Sequence, residues 1–317
     1  MYAQRRERFM QEMEGGVAII RTNATAIRSN DSDYPYRPDS TFWYLTGFRE
    51  PDAVALLCPG HPEHRFVLFV NPKDPFKEVW LGRRAGVEGA VAKHGADAAY
   101  SIDEIDEILP TYLENQAKLY YPIGQNAEFD AQVLSWRRKV QAKARQGITA
   151  PEAILDTAAI ANEMRLIKSP PELDKMRRAA SIASEAHREA MKLTRPGVNE
   201  YELQAVLEYT FRKRGAQGPS YNPICGSGEN TCILHYNEND RVIGDQEFVL
   251  LDAGCEVDGY ASDITRTFPS NGVFTPDQRA LYEVVLDAQV ACIDAVRPGT
   301  RFQAIHDLAI RKLTEGM

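Results

Sequence analysis

Short apolar runs alternate with helical patterns through the first half of the chain. The apolar runs predict β-strands at residues 17–20, 53–57, 66–70 and 118–121. Amphipathic spacing predicts helices over residues 4–14, 84–94, 103–115 and 127–144. Such alternation is typical of an α/β domain. We place this domain at residues 1–160 and a second domain, of different pattern, at residues 161–317.

Clear helix-start signals open the second domain. Ser169, Pro170 and Glu172 form a capping box with proline first in the helix, and apolar residues continue one face behind it. Asn199 caps a second helix, which Gly215 can close in a left-handed conformation. The sequence therefore predicts two consecutive helices joined by an Arg-Pro-Gly turn.

The same arrangement begins again later in the chain. Residues 275–278 form another capping box, and Thr300 with Gln303 starts one more helix. Arg-Pro-Gly turns stand at 195–197 and 297–299, between the two helices of each pair. This repetition suggests a duplicated unit of two helices followed by strands.

Between the two helix pairs the pattern predicts a β-hairpin with a turn over residues 256–259. Asp252 ends its apolar first strand, where an unpaired buried carboxylate would cost several kcal/mol. Asp263 lies on the returning strand, so the turn can bring both carboxylates to one site. A shared proton or a cation resolves their repulsion, and hard divalent ions favour oxygen ligands. The alternative is that both aspartates are turn or cap residues that bond the local backbone.

His235 follows three apolar residues and precedes a polar turn. One interpretation is a structural histidine with satisfied hydrogen bonds. The other is a neutral imidazole beside the metal site, which donates a hydrogen bond to a substrate carbonyl as charge develops there.

Composition and charge exclude several classes of partner. With 44% hydrophobic and 26% charged residues the chain is typical of globular proteins. A net charge of −8 gives no attraction for nucleic acid or anionic lipid. No apolar run has the length of a membrane span, and we expect a cytoplasmic protein. The cysteines are odd in number and lack CxxC spacing, so we expect reduced thiols at Cys58, Cys225, Cys232, Cys255 and Cys292.

Two long blocks resemble the first half of a pita-bread metallopeptidase core of family M24, namely SYNPICGSGENTCILHYNEN (220–239) and LLDAGCEVDGYASDITRTFP (250–269). The block SNDSDYPYRPDSTFWYLTGFREP (29–51) resembles the amino-terminal domain of aminopeptidase P, and the likeness covers essentially the whole chain. The resemblance implies an α/β amino-terminal domain and an α+β pita-bread (creatinase/aminopeptidase-like) domain, the latter incomplete. It also implies a metallo-aminopeptidase that removes the first residue from peptides with proline second.

The resemblance implies two divalent metal ions, most often Mn²⁺, and a metal-bridging hydroxide that attacks the Xaa-Pro carbonyl. Asp252 would bind one ion, Asp263 would bridge both, and His235 would contact the substrate carbonyl. Tyr221 would support the ligands through a hydrogen bond.

Three residues of the first domain match positions that line or support the substrate cleft in the family: Asp31, Trp80 and Arg145. Trp80 would reach in from a neighbouring subunit, in a homo-oligomer of two or four chains. The alternative interpretations are a turn cap, a core aromatic and a solvated charge.

The family's remaining ligands, one histidine and two glutamates, have no counterpart here, and His306 falls in a helix where no ligand is expected. A site with two of five ligands should bind metal weakly, so we expect a fragment that is inactive alone. A naturally half-finished protein is the alternative. Two further hypotheses are prolidase, the dipeptide-specific relative, and a non-catalytic protein that binds peptides in the same cleft.

Overall fold

The computed structural model describes residues 1–317, which form two compact units, Met1–Lys168 and Ser169–Met317. The sequence places the boundary near residue 160, a few residues earlier. No helix is both long enough and apolar enough to cross a membrane.

The first unit contains seven α-helices and eight β-strands. The helices are α1 (Tyr2–Glu12), α2 (Ser40–Thr46), α3 (Pro75–Leu81), α4 (Gly86–His94), α5 (Ile105–Leu113), α6 (Ala127–Gln141) and α7 (Ala158–Leu166). The strands are β1 (Val17–Arg21), β2 (Ile27–Ser29), β3 (Ser32–Asp33), β4 (Val54–Leu57), β5 (Phe66–Val70), β6 (Ala98–Ser101), β7 (Lys118–Tyr120) and β8 (Ala153–Leu155).

Six of these strands form one mixed sheet in the order β6-β5-β4-β1-β7-β8. Strands β1, β7 and β8 are parallel, as are β5 and β6, and β4 runs antiparallel to both of its neighbours. Strands β2 and β3 form a separate small hairpin. The α/β class predicted for this domain is confirmed.

Both faces of this sheet are covered, which explains why its central strands are apolar throughout. In β1, Val17 and Ile19 point into one core, together with α5 and α6. Ala18 and Ile20 point into the other core, together with α1, α2 and α7. Alternate side chains of a strand lie on opposite faces, so a strand buried on both sides reads as one continuous hydrophobic run.

The second unit contains four α-helices and six β-strands. The helices are α8 (Pro170–Leu193), α9 (Glu200–Lys213), α10 (Pro276–Ala295) and α11 (Phe302–Gly316). The strands are β9 (Gly218–Pro219), β10 (Ile224–Ser227), β11 (Phe248–Ala253), β12 (Cys255–Val257), β13 (Tyr260–Ala261) and β14 (Ile264–Pro269). The capping boxes predicted at Ser169 and Thr275 are present, and the predicted cap Asn199 also forms a capping box, with Glu202. The last helix instead begins after Arg301, one residue beyond the predicted Thr300.

The hairpin that the sequence predicts as one element is divided between two sheets. Strand β11 pairs with β10 and β14, whereas β12 pairs with β13 and β9. The chain changes sheet at Gly254, so the turn, which lies at Asp258 and Gly259 within the predicted 256–259, closes only the small ladder. One core joins α8 and α9 to the longer sheet and contains Ala183, Leu207, Phe211 and Leu251.

Candidate metal centre

Strand β11 aims Asp252 away from the core. Along its sequence FVLLDA, Val249, Leu251 and Ala253 are buried, while Asp252 belongs to the alternate, half-buried set. In the sheet Asp252 lies opposite Ile224 of β10 and Thr265 of β14. Because side chains alternate along a strand, the apolar face fixes the direction of the carboxylate.

Asp263 is positioned by a close backbone crossing. A Cβ atom on Gly254 would lie 1.7 Å from the carbonyl oxygen of Ser262, so only glycine allows this approach. The Ser262 amide donates to the Cys255 carbonyl at 2.9 Å, and the Ser220 hydroxyl donates to the Ser262 carbonyl at 2.8 Å. These contacts fix Asp263 immediately before β14, beside the end of β11.

Tyr221 joins the two carboxylates. Its hydroxyl lies 2.5 Å from Oδ1 of Asp252 and 3.1 Å from Oδ1 of Asp263. Burial raises the pKa of the Tyr221 phenol well above its ordinary value, and the hydrogen bond to Asp252 and the two negative charges raise that pKa further. The phenol therefore stays protonated and can donate its single proton to only one aspartate at a time.

His235 lies in the same unit but outside this hydrogen-bonded group. It follows the 3₁₀ turn Gly228–Cys232, its side chain is exposed, and no hydrogen bond joins it to either aspartate. Its carbonyl accepts a hydrogen bond from Asn237 at 3.0 Å. Its exposure argues against a histidine buried for structural reasons.

A fully buried glutamate, Glu200, holds the loop that carries His235. One carboxylate oxygen accepts from the amide and the hydroxyl of Ser227, each at 2.7 Å. The other accepts from the Tyr236 hydroxyl at 2.7 Å and from the Arg241 amide at 3.1 Å. Sequence reasoning missed Glu200, because a glutamate directly after the cap Asn199 reads as an ordinary first-turn residue.

The three predicted cleft residues of the first unit are all exposed. Asp31 lies in the turn between β2 and β3, Trp80 lies on α3, and Arg145 lies in the 3₁₀ turn Ala144–Gln146. Trp80 is 77% exposed, which excludes its alternative interpretation as a core aromatic.

The donor set suits a hard divalent cation. Two carboxylates around one phenol offer oxygen ligands and a net negative charge, which Mg²⁺, Mn²⁺ and similar ions favour. The chain brings together no group of three or more His, Cys, Asp or Glu side chains that could hold a metal. Asp252 and Asp263 are thus the residues of this centre that could bind an ion.

Two family models match the chain. Residues 2–120 match the aminopeptidase P N-terminal domain, and residues 174–317 match metallopeptidase family M24. The Xaa-Pro aminopeptidase of Escherichia coli (strain K12) is 42% identical over 318 residues, which cover 100% of this chain and 72% of that protein. The Xaa-Pro aminopeptidase of Haemophilus influenzae is 40% identical, over 100% of this chain and 71% of that protein.

Solved structures agree with these matches. The aminopeptidase PepP of Pseudomonas aeruginosa superposes with a TM-score of 0.97 at 46% identity, over 99% of this chain and 72% of that chain. Zinc-substituted E. coli aminopeptidase P in complex with product gives a TM-score of 0.96 at 42% identity, with the same coverage. The second unit is therefore a pita-bread domain, and the chain belongs to the Xaa-Pro aminopeptidases, hydrolases of metallopeptidase family M24.

Proposed function

We propose that this chain provides the carboxylate half of a binuclear metal site that releases the amino-terminal residue from peptides with proline in second position. The observation that carries the proposal is the convergence of Asp252 and Asp263 on the hydroxyl of Tyr221. A proline amide has no N–H and its ring fixes φ, so a general peptidase cleft binds it poorly and a specialised site is needed.

Each residue of the centre has a distinct role in the proposal. Asp252 and Asp263 would hold two divalent ions of the hard class that oxygen donors favour, and Mn²⁺, which the family resemblance implies, belongs to that class. Such ions, when bound, supply an activated water and stabilise negative charge on the scissile carbonyl. Tyr221 keeps the two carboxylates oriented through its hydroxyl. His235 donates a hydrogen bond to the substrate carbonyl, from a loop that Glu200 holds in place.

The first unit contributes substrate contacts in this proposal, through Asp31, Trp80 and Arg145. Helix α3 has no buried residue, and its side chains Phe76, Val79 and Trp80 are each at least 76% exposed. A helix with this much exposed apolar surface is suited to contact another chain. We therefore propose a homo-oligomer of two or four subunits, in which Trp80 enters a neighbouring cleft.

The 317-residue chain alone should bind metal weakly and be inactive. Its centre supplies two carboxylates and no third metal-ligating side chain. Ion affinity falls as ligands are lost. The same observation supports the second candidate, a protein that binds peptides without cleaving them.

The relatives are Xaa-Pro aminopeptidases, which favours that activity over prolidase. Five unpaired cysteines suit the cytoplasm, our proposed location.

An assay on two proteins tests the proposed activity. The first is this chain, and the second is a chimera that adds the part of the E. coli relative outside the aligned region. With Mn²⁺ we expect the chimera to release the first residue from Xaa-Pro peptides and not from Xaa-Ala peptides, while the chain alone releases none. Asp263→Asn in the chimera should lower the rate about a hundredfold or more, and the exposed control Asp287→Asn should not. Equal cleavage of both peptide classes, or full activity with Asp263→Asn, would refute the proposal.

A further inference from the structure

A cavity of about 250 Å³ opens in the first unit at the carboxyl ends of β1 and β7. These strands are parallel neighbours in the sheet, and β4 on the other side of β1 runs in the opposite direction. In open α/β sheets, ligands bind in the crevice beyond the carboxyl ends of the strands. This cavity lies within the first unit, and the candidate metal centre lies within the second.

Two opposite charges line the cavity without pairing with each other. The Arg21 guanidinium lies over the ring of Phe129, 5.0 Å from its centroid, and forms no ion pair. Asp39 caps α2 by accepting from the Phe42 amide at 2.8 Å and lines the same space. A carboxylate in the lining disfavours a plain anion, and an arginine disfavours a plain cation. The pair favours a molecule that carries both charges.

Two helices begin at the cavity, and one of them leaves a side-chain donor free at its start. Asn126 is the N-cap of α6, and Thr157 is the N-cap of α7. Thr157 is only 4% exposed, and its hydroxyl neither caps its own helix nor finds another partner in the chain. The Ala158 amide already donates to Asp156 at 2.7 Å and the Phe129 amide to Asn126 at 2.8 Å, so part of each helix start is occupied. The Thr157 hydroxyl is the donor that remains for a negatively charged group in the cavity.

We propose that this cavity binds a free α-amino acid. Its carboxylate contacts Arg21 and the Thr157 hydroxyl, its ammonium group faces Asp39, and its side chain lies against Phe129. The volume corresponds to about eight water molecules at about 30 Å³ each, which suits an amino acid of similar heavy-atom count.

A titration of the full chain, followed by NMR amide shifts of Thr157 and Phe129, tests the proposal. The probe is L-leucine, compared with 4-methylpentanoate, which lacks the ammonium group, and isoamylamine, which lacks the carboxylate. We expect saturable shifts with leucine at millimolar concentration and binding about tenfold weaker or worse for each half-ligand. Equal binding of 4-methylpentanoate would overturn the proposal in favour of a plain anion site. Tighter binding of glycyl-leucine would overturn the size assignment, and absence of saturable shifts would exclude the site.

Variants separate recognition from folding. Asp39→Asn retains a good N-cap, so it changes the charge while keeping the helix start. Asp39→Asn and Arg21→Gln should each weaken leucine about tenfold, and Arg21→Lys should recover part of the loss. Arg138→Gln, an exposed change on α6 outside the cavity, should bind leucine with the affinity of the unaltered chain. Unchanged affinity in both Asp39→Asn and Arg21→Gln, with melting temperatures preserved, would refute the assignment.

Discussion

At the scale of single residues, Tyr221 sets the character of the candidate metal centre. One phenol proton lies between two carboxylates, so one of the aspartates is always without a strong donor. The raised pKa of Tyr221 keeps that proton in place. The two negative charges around a neutral phenol therefore repel each other, and a divalent cation bound to both carboxylates would offset this repulsion.

Gly254 is the residue on which the position of Asp263 depends, and its substitution gives a direct prediction. In Gly254→Ala the new methyl would meet the Ser262 carbonyl at 1.7 Å, so the crossing of the two backbone segments must open. We expect the second unit to lose about 3 kcal/mol of unfolding free energy or more, measured by urea denaturation. Gly60→Ala, where nothing lies within 4 Å, should change stability little. Equal stability of the two variants would contradict this account.

The two metal-ligand candidates could be predicted from the sequence, but the contacts that position them could not. Asp252 stands out because a charge ends an apolar strand, which is a local signal. The role of Gly254 depends on Ser262, and the role of Glu200 depends on Ser227, Tyr236 and Arg241. Such partners are brought together only by the fold, so no local pattern marks them.

At the scale of elements, helices with cap signals were predicted well and short exposed elements were not. Helices α8, α9 and α10 begin at the predicted caps because a capping box is a local interaction. Helix α3 has no buried face, so it shows no amphipathic pattern, and β8 has only three residues. Helix α2 was also missed, because its run of aromatic residues gives no amphipathic spacing, although Asp39 caps its start and Gly47 ends it.

The loop that carries His235 should lose its order when Glu200 loses its charge. In Glu200→Gln an NH₂ group replaces one carboxylate oxygen, so two hydrogen-bond donors, this group and the backbone amide of either Ser227 or Arg241, face each other. Because a buried donor is left without a partner, we expect the free energy of unfolding to fall by about 2 kcal/mol. Hydrogen exchange of the Ser227 and Arg241 amides should accelerate. Glu202→Gln, an exposed capping-box change that keeps an acceptor, should leave both rates unchanged, and equal protection in the two variants would refute the role.

The contact between Arg241 and Glu247, at the start of β11, gives a pH prediction. Arg241 donates two hydrogen bonds of 2.6 Å each to the Glu247 carboxylate, and they are the main reason why the Glu247 pKa lies below its ordinary value of 4.5. A lowered carboxyl pKa contributes stability above pH 4.5 that is lost as the pH falls through the lowered pKa.

Urea unfolding across this range should show the effect. The free energy of unfolding of the unaltered chain should exceed that of Glu247→Gln by about 1 kcal/mol near neutral pH, a modest value because the pair is partly exposed. This difference in unfolding free energy, the gap between the two proteins, should narrow below pH 4.5. Glu283→Gln removes a more exposed pair with Arg279 and should show almost no gap at any pH. A gap for Glu247→Gln that does not change with pH would contradict the assignment.

At the scale of the whole molecule, the helix pair α10–α11 carries uncovered apolar surface. Helix α11 has no buried residue, and α10 has only Ala288. Val285, Ile293 and Phe302 are 53%, 63% and 91% exposed. Surface of this kind favours association, so the average molar mass obtained from static light scattering should rise with protein concentration. The double change Ile293→Gln and Phe302→Gln should suppress that rise, whereas Val242→Gln, at an isolated exposed site, should not. An average molar mass that stays at the value of one chain at every concentration would contradict the prediction.

The claim on which the whole account depends is that Asp252 and Asp263 together bind a divalent ion. Mn²⁺ is paramagnetic and broadens NMR signals near its site even when it binds weakly, so a Mn²⁺ titration of the full chain tests the claim directly. We expect selective broadening at Tyr221 and around Asp252, which Asp252→Asn and Asp263→Asn each abolish and the exposed control Asp287→Asn leaves unchanged. Broadening that is the same in all four proteins, or that never reaches Tyr221, would contradict the account.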